Sequence, residues 1–473
     1  MPAAGEWRNG LLPPIDAAAL PMAAANPPRG PHLLAPLPAC RPHLANVLRA
    51  RAPGTTTVLP GAGCAPARPW SVIRSRPEPT RVIYLDHAAT SFPKPEEVYR
   101  GMEAFVRASG ANPGRGGHRL AVEAEAMIQE TRALVARLFG CPRPERVVFA
   151  LNASDALNMA IKGVVRRGDH VVTSVLEHNS ISRPLNRMER DGVITLTRLP
   201  ATSDHRLDPS AVAAALTART RLVAITHAAN VTGTIQPVGV IGALVRARGA
   251  LFLVDAAQSA GAVPIDVERD AIDLLAFTGH KGLLGPTGTG GLVIGERAIV
   301  DPWREGGTGG DASNPYQPEE LPHRLEGGTP NVFGIAGLRE GLRWVAARGP
   351  EMLLRHERSL LKALLAAMTR RDRYEWYGAD RILLDADGEG RVGLVAFNLR
   401  GRPPADLAAA LERDHSLAVR AGLHCAPYAH RHLGTFPGGA ARISVGVTTT
   451  MDDMRHAAAA LDAVAGLDTA AAG

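Results

Sequence analysis

Long apolar runs are missing from this chain. No stretch approaches the ~18 consecutive apolar residues of a bilayer-spanning helix, which excludes a helical membrane span on length. The N-terminus has no charged stretch followed by a continuous apolar segment, so no secretory signal is expected. Cysteine is scarce. Cys40, Cys64, Cys141 and Cys425 are scattered over 473 residues with no CxxC pair. Such spacing makes neither a disulfide framework nor a zinc finger, and it points to a reduced, cytoplasmic protein without a structural metal. Aromatic residues make up only 4%. The net charge of +7 raises the question of nucleic acid, but beyond residue 80 arginines alternate with acids. No basic run with interleaved aromatics and no helix-turn-helix spacing occurs, so neither nucleic acid nor a membrane is expected as a partner.

Acidic residues are nearly missing from residues 1–78, where Pro, Ala, Arg and Gly recur without periodicity, as in Ala25-Asn26-Pro27-Pro28-Arg29-Gly30-Pro31. That composition buries too little apolar surface to offset chain entropy and predicts disorder. An upstream extension with no role is the favoured reading, and an Arg-bearing targeting peptide the other.

From Arg81 short apolar runs alternate with helical spacing. The runs are Val147–Ala150, His170–Thr173, Leu222–Ile225, Ala250–Val254 and Asp273–Phe277. Each is apolar on both parities, the mark of strands buried on both faces of a parallel sheet. Helical segments such as Pro209–Thr217 and Val238–Arg248 separate them. The alternation predicts a large doubly wound α/β domain over 100–328. Residues 329–465, with longer helices and a few strands, read as a smaller α+β C-terminal domain, and residues 79–99 as a segment packing with it.

In open α/β sheets ligands sit beyond the carboxyl ends of the strands. The polar residues following each run are Asn152-Ala153-Ser154-Asp155, Glu177-His178-Asn179, His227 to Asn230, Asp255 to Gln258, and Thr278-Gly279-His280-Lys281. One strand-end His or Asp is ordinarily a satisfied structural residue. Five consecutive strand ends supplying Ser, His, Asn, Asp and Lys make a site. The set suits pyridoxal 5'-phosphate, which needs a lysine, an acid for the pyridine nitrogen and a phosphate cup at a helix start. Lys281, Asp255 and the Ala153-Ser154 turn can supply them. The glycine run Gly285–Gly291 is no P-loop, because no GK[ST] closes it and Lys281 precedes it.

A second signal is Arg420-Ala421-Gly422-Leu423-His424-Cys425-Ala426-Pro427. A lone cysteine is more often a small buried hydrophobe than a nucleophile. Cys425, however, lies in a polar turn beside His424 and near Arg420, surroundings that favour thiolate. Cys40, Cys64 and Cys141 lack that setting.

Together with Tyr84 to Thr90, Glu177-His178, Asp255 to Gln258, Gly279-His280-Lys281 and Gly328-Thr329-Pro330-Asn331, this segment resembles the class V aminotransferase superfamily, and within it the cysteine desulfurases of the NifS/SufS type. The likeness runs from about residue 81 to 460. It implies a fold type I homodimer: a large, mostly parallel seven-stranded sheet domain plus the smaller C-terminal domain, with active sites at the subunit interface. Carried over motif by motif, it implies that Lys281 bonds the cofactor and moves the substrate α-proton. Asp255 would meet the ring nitrogen, Gln258 the phenolic oxygen, and His178 the ring face, with Asn230 alongside. Ala153, Ser154, Thr278 and His280 would hold the phosphate, and Thr329 that of the partner subunit. Arg442, with Arg420 and Asn230, would hold the substrate carboxylate. L-Cysteine, or L-selenocysteine, would become alanine, its sulfur passing to Cys425 and then to an acceptor protein or small thiol. The chain departs from the pattern at Leu423, at His87 and at Thr448-Thr449-Thr450. The rival expectations are another reaction on the same fold (selenocysteine lyase, C–S lyase, aminotransferase) and a sulfur-relay or scaffold protein with little turnover.

Overall fold

The computed structural model describes residues 82–114, 117–309, 313–378 and 390–470. The expected disorder of residues 1–78, with Cys40 and Cys64, lies outside the described residues.

Strands β2 (Val147–Ala150), β3 (His170–Ser174), β4 (Thr195–Leu199), β5 (Thr220–Thr226), β6 (Leu251–Asp255), β7 (Leu274–Thr278) and β8 (Gly290–Ile294) form one seven-stranded sheet. Its order is β2-β8-β7-β6-β5-β3-β4. The β7-β6-β5-β3-β4 pairings are parallel, and β8 runs antiparallel to both its neighbours. Alternation in the strands explains the burial on both faces. Val223 and Ile225 enter one apolar core, while Leu222 and Ala224 enter the other. Helices cover both faces, as parallel crossovers require.

The carboxyl ends of β3, β5, β6 and β7 bring Ser174, Thr226, Asp255 and Thr278 to one edge of this sheet. Gly290 in the glycine run has a packing reason. A Cβ there would lie 2.7 Å from the Phe277 carbonyl oxygen and 2.8 Å from the Asn152 backbone. Only glycine lets β8 pass against the turn that opens the helix Ala153–Val164.

A four-stranded antiparallel sheet has β9 (Tyr374–Tyr377), β10 (Leu394–Leu399), β12 (Arg420–Gly422) and β13 (Ala440–Ser444) in the order β12-β13-β10-β9. The helices Pro350–Ala367, Pro404–His415 and Met451–Ala470 pack a separate apolar core on it, containing Leu361, Phe397, Leu411 and Leu461. β1 (Ile83–Tyr84) pairs in parallel with β11 (Leu417–Ala418), and Asp86 bridges to Ser444. The chain then leaves this sheet, and the Ser91 amide donates to the His280 carbonyl at 3.0 Å. Helix Val332–Arg348 begins just past the expected domain boundary, and its Val332, Ile335, Leu338 and Leu342 pack into the core of the large sheet. No helix among the described residues is long and apolar enough to cross a membrane.

Candidate active site

The helix Ala153–Val164 starts immediately after β2 and a short turn, with Asn152 as its cap accepting from the Asp155 amide at 3.0 Å. The first-turn N–H groups of such a helix have no intrahelical acceptor and carry its positive pole, which suits an anion at Ala153 and Ser154. Beyond β7, the Thr278 hydroxyl and His280 Nδ1 are buried with no hydrogen-bond partner. Asn230 Oδ1, in the turn after β5, is likewise buried and unpartnered. Buried polar atoms are rarely left so, because each costs about 1–3 kcal/mol. Three such atoms lie at or just beyond the carboxyl ends of β5 and β7.

Asp255 ends β6, buried, and one of its oxygens accepts from the Ala257 amide at 2.9 Å. Burial raises its carboxyl above the usual range, opposed by that amide and by the Lys281 charge. Lys281 follows β7 by three residues. Burial pushes its amine down to about 8, helped by the Arg442 charge and opposed by Asp255. His178 caps the helix Asn179–Arg190, its Nδ1 accepting from the Ser180 amide at 3.1 Å. Burial and then Lys281 hold it neutral down to about pH 4. Gln258 donates to the Ala88 carbonyl at 3.0 Å. A lysine, a buried acid with no ion-pair partner among the described residues, a neutral imidazole and an anion cup fit pyridoxal phosphate.

Arg442 projects from β13 and is 1% exposed. Its guanidinium donates to the Asp86 carboxylate at 2.9 Å and to the Asn230 carbonyl at 2.9 Å, while its Nε is buried without a partner. The fork expected to hold a carboxylate on two arms therefore already has both terminal nitrogens engaged. Arg420 lies directly opposite in the β12–β13 register. Arg420 and Arg442 both act electrostatically on His178 and Lys281, so the substrate-side and cofactor-side residues share one neighbourhood.

Cys425 is exposed. It and His424 both hold left-handed backbone, at φ 58° and 46°. This strain is pinned from two sides: Asn230 Nδ2 donates to the His424 carbonyl at 2.6 Å, and the Asn179 amide to the Cys425 carbonyl at 2.7 Å. One expectation needs correcting. His424 cannot be the cation that supports a thiolate, because its ring is buried against the Ala440 carbonyl at 3.0 Å and held neutral down to about pH 2 by burial and Arg442. Of the two groups invoked for Cys425, that leaves Arg420. Cys141, the other described cysteine, is buried, and burial pushes its thiol up.

The large-sheet residues and the Cys425 segment thus converge through Asn179, Asn230 and Arg442. Thr329 does not join them within one chain. It is exposed and lines a separate cavity of about 500 Å³ with Arg132, Phe149 and Glu326. Two departures from the family pattern meet each other, His87 Nε2 lying 3.4 Å from the Thr449 hydroxyl. Sequence reasoning missed Asp86 as the partner of Arg442, and it named Glu177 at a strand end without giving it a role; Glu177 is buried between the Ser174 hydroxyl (2.5 Å) and the Thr226 amide (2.7 Å). Burial raises Glu177 to about 8. A carboxyl followed by histidine at a strand end was the available signal.

A family model described as Aminotransferase class-V matches residues 83–456. A probable cysteine desulfurase of Methanothermobacter thermautotrophicus is 35% identical over 391 residues, covering 81% of this chain and 95% of the relative. A cysteine desulfurase of Pectobacterium atrosepticum is 31% identical over 393 residues, covering 81% and 93%. Among solved structures, an apo cysteine desulfurase from Thermococcus onnurineus superposes with a TM-score of 0.75 at 34% identity, over 81% of this chain and 95% of that one. The cysteine desulfurase CsdA of Escherichia coli does so with a TM-score of 0.71 at 28% identity, over 82% and 95%.

Proposed function

The chain belongs to the class-V aminotransferase family and is a pyridoxal-phosphate-dependent cysteine desulfurase acting on L-cysteine; from that premise we propose that Lys281 carries the cofactor and that Cys425 takes the sulfur as a persulfide. The observation that carries this reading is the pinning of the backbone-strained His424-Cys425 turn, with Cys425 exposed, by Asn230 at the His424 carbonyl and by Asn179 at the Cys425 carbonyl.

In this reading Asp255 would pair with the ring nitrogen, His178 would cover the ring, Asn230 and Gln258 would meet its edge, and Ala153, Ser154, Thr278 and His280 would hold the phosphate. Bound pyridoxal phosphate supplies an electron sink for charge developing on the substrate α-carbon. Arg442, with Asp86 holding one arm and Nε free, orients the substrate carboxylate, and Arg420 adds positive charge beside it. Lys281 is the base that moves the α-proton, its amine having been brought near neutrality by burial. The Cys425 thiolate attacks the substrate sulfur. The carbon–sulfur bond breaks with its electron pair left on the β-carbon, which a proton then fills. L-Cysteine plus the Cys425 thiol becomes alanine plus the Cys425 persulfide, with sulfur oxidised and carbon reduced. An acceptor protein or small thiol then removes the outer sulfur.

We also read the enzyme as a cytoplasmic homodimer in which Thr329 serves the partner subunit, and keep residues 79–99, 100–328 and 329–465 as its N-terminal segment, large domain and small domain. A single-turnover reaction with L-cysteine in the absence of reductant tests the sulfur step. Alanine together with one added sulfur on the peptide containing Cys425 is expected. Alanine formed with that peptide unchanged would overturn the persulfide assignment.

A further inference from the structure

The carbonyl oxygen of His280, the residue just before Lys281, has an unusual set of donors. The Ser91 amide reaches it at 3.0 Å, the Thr90 and Ser91 hydroxyls at 3.1 Å each, and Lys94 Nζ at 3.4 Å. A carbonyl has two lone pairs and is ordinarily satisfied by one or two donors. Here three neutral donors and an ammonium converge on one oxygen. Lys94 also donates to the Ser91 carbonyl at 3.0 Å and to the Ser91 hydroxyl at 2.8 Å, so its three protons are committed to this cluster. No carboxylate among the described residues lies within ion-pairing distance of it. Burial lowers its amine to about 8. A cation kept half-buried without an acid needs another source of stabilisation, and the negative end of the His280–Lys281 peptide dipole is what it faces.

The same short segment touches the rest of the site. Asp86 holds Arg442, the Ala88 amide donates to Ser444 at 2.9 Å, and the Ala88 carbonyl accepts from Gln258. Residues 86–94 therefore run as a strap from the arginine to the peptide that bears Lys281.

We propose that Lys94 is a positioning residue for the desulfurase reaction, clamping the His280 carbonyl and so fixing the orientation and proton affinity of the Lys281 amine. The clamp works through the backbone and not by contact with substrate. Its positive charge also bears on His87 and His280, which it helps to keep neutral. The charges acting directly on Lys281 are those of Arg442, Asp255, Arg420 and Asp86, so Lys94 reaches it through the His280 carbonyl.

The inference rests on Lys281 being the cofactor's lysine, and that is tested separately by fixing the cofactor with borohydride and weighing the labelled peptide. A label elsewhere overturns the Lys281 assignment whatever Lys94 does. With Lys281 labelled, holoenzyme carrying Lys94→Met or Lys94→Arg is compared with the parent. Lys94→Met is expected to lower kcat for L-cysteine about ten- to a hundredfold, the scale of a small misplacement of a reacting group, while KM stays within about twofold. It also raises the pH at which the bound cofactor's visible absorption titrates by on the order of half a unit or more, because the peptide that bears Lys281 loses the cation held on its carbonyl oxygen. Lys94→Arg restores most of both. Should Lys94→Met fail to fold, Thr90→Val and Ser91→Ala each remove one neutral donor and are expected to lower kcat less, again with KM held. A lowered Tm with parental kcat and an unmoved titration would make the cluster purely structural and overturn the proposal.

Discussion

Arg442 and Asp86 are 356 residues apart in sequence and 2.9 Å apart in space, the carboxylate holding one arm of a guanidinium that is 1% exposed. Arg420 faces Arg442 across the β12–β13 register. Two arginines opposite each other repel unless an anion lies between or beside them. Asp86 is that anion for Arg442, and in the proposed reading a substrate carboxylate at the unpartnered Nε would be a second.

Replacing Asp86 therefore acts on substrate binding first. Hydrogen bonds to charged groups contribute about 1.5–3 kcal/mol, which corresponds to roughly ten- to a hundredfold in affinity. Asp86→Asn keeps the size and one acceptor, so KM for L-cysteine rises by about the lower figure while kcat moves less. Asp86→Ala leaves the buried guanidinium less well paired and lowers Tm as well. Steady-state kinetics with thermal unfolding of both variants checks this. An unchanged KM in Asp86→Ala would mean that Arg442 holds its pose without the pair.

Thr278→Val separates stability from cofactor affinity. The hydroxyl is buried with no partner in the protein alone, so an apolar isostere removes an unmet polar group. The cofactor-free variant is expected to melt at or above the parental temperature, while the concentration of pyridoxal phosphate needed for half saturation rises about tenfold. Differential scanning calorimetry and cofactor titration give the two numbers. A lower Tm together with parental cofactor affinity contradicts the phosphate role.

Acid should unfold the cofactor-free protein well above the usual carboxylate range. Burial lowers His87, His178, His205, His227, His280 and His430 to about 4, and His424 to about 2. For a base whose folded pKa is depressed, the unfolded chain binds protons first as pH falls through about 6.5. Stability is then full above that pH and is lost progressively toward about 4. Glu177 and Glu357, raised to about 8 and about 7, work in the opposite sense between about 4.5 and those values. Asp255 and Asp273, also raised by burial, act in that same opposing sense, but seven imidazoles outweigh four carboxyls, so Tm falls as pH is lowered from 7 to 5. A flat or rising Tm over that range would show these imidazoles to be solvated.

Much of this was legible in the residues. The β2 run Val147–Ala150 and the other doubly apolar runs became strands within two residues of their expected ends, because burial on both faces leaves no alternation to misread. The edge strand Thr195–Leu199 was not legible: Thr-Leu-Thr-Arg-Leu is neither a continuous apolar run nor a strict alternation, and it is largely half-exposed. Lys281, Asp255 and Cys425 stand out locally, as strand-end chemistry and a thiol in a polar turn. The partners that orient them do not. Asp86 finds Arg442, and Lys94 finds a main-chain carbonyl 186 residues away. A backbone acceptor leaves no trace in side-chain identity. His424 misled for a related reason, since adjacency to Cys425 in sequence says nothing about left-handed geometry that turns the imidazole inward.

That geometry yields the last prediction. Non-glycine residues in the left-handed region cost on the order of 1 kcal/mol or more, and Cys425 is one, at φ 58°. Glycine escapes the steric cost but gives back about 0.5–1 kcal/mol in unfolded-chain entropy. Cys425→Gly should therefore be at least as stable as Cys425→Ala, by up to about 1.5 kcal/mol, although both are expected to lose sulfur transfer. Neither substitution removes the bond from the Asn179 amide to the residue 425 carbonyl, so both should keep the parental cofactor absorbance. Denaturant unfolding of the two variants side by side measures the difference. If alanine is the more stable of the two, the turn relaxes out of the left-handed region once the thiol is gone, and the strain belongs to the cysteine side chain and not to the bonds from Asn179 and Asn230.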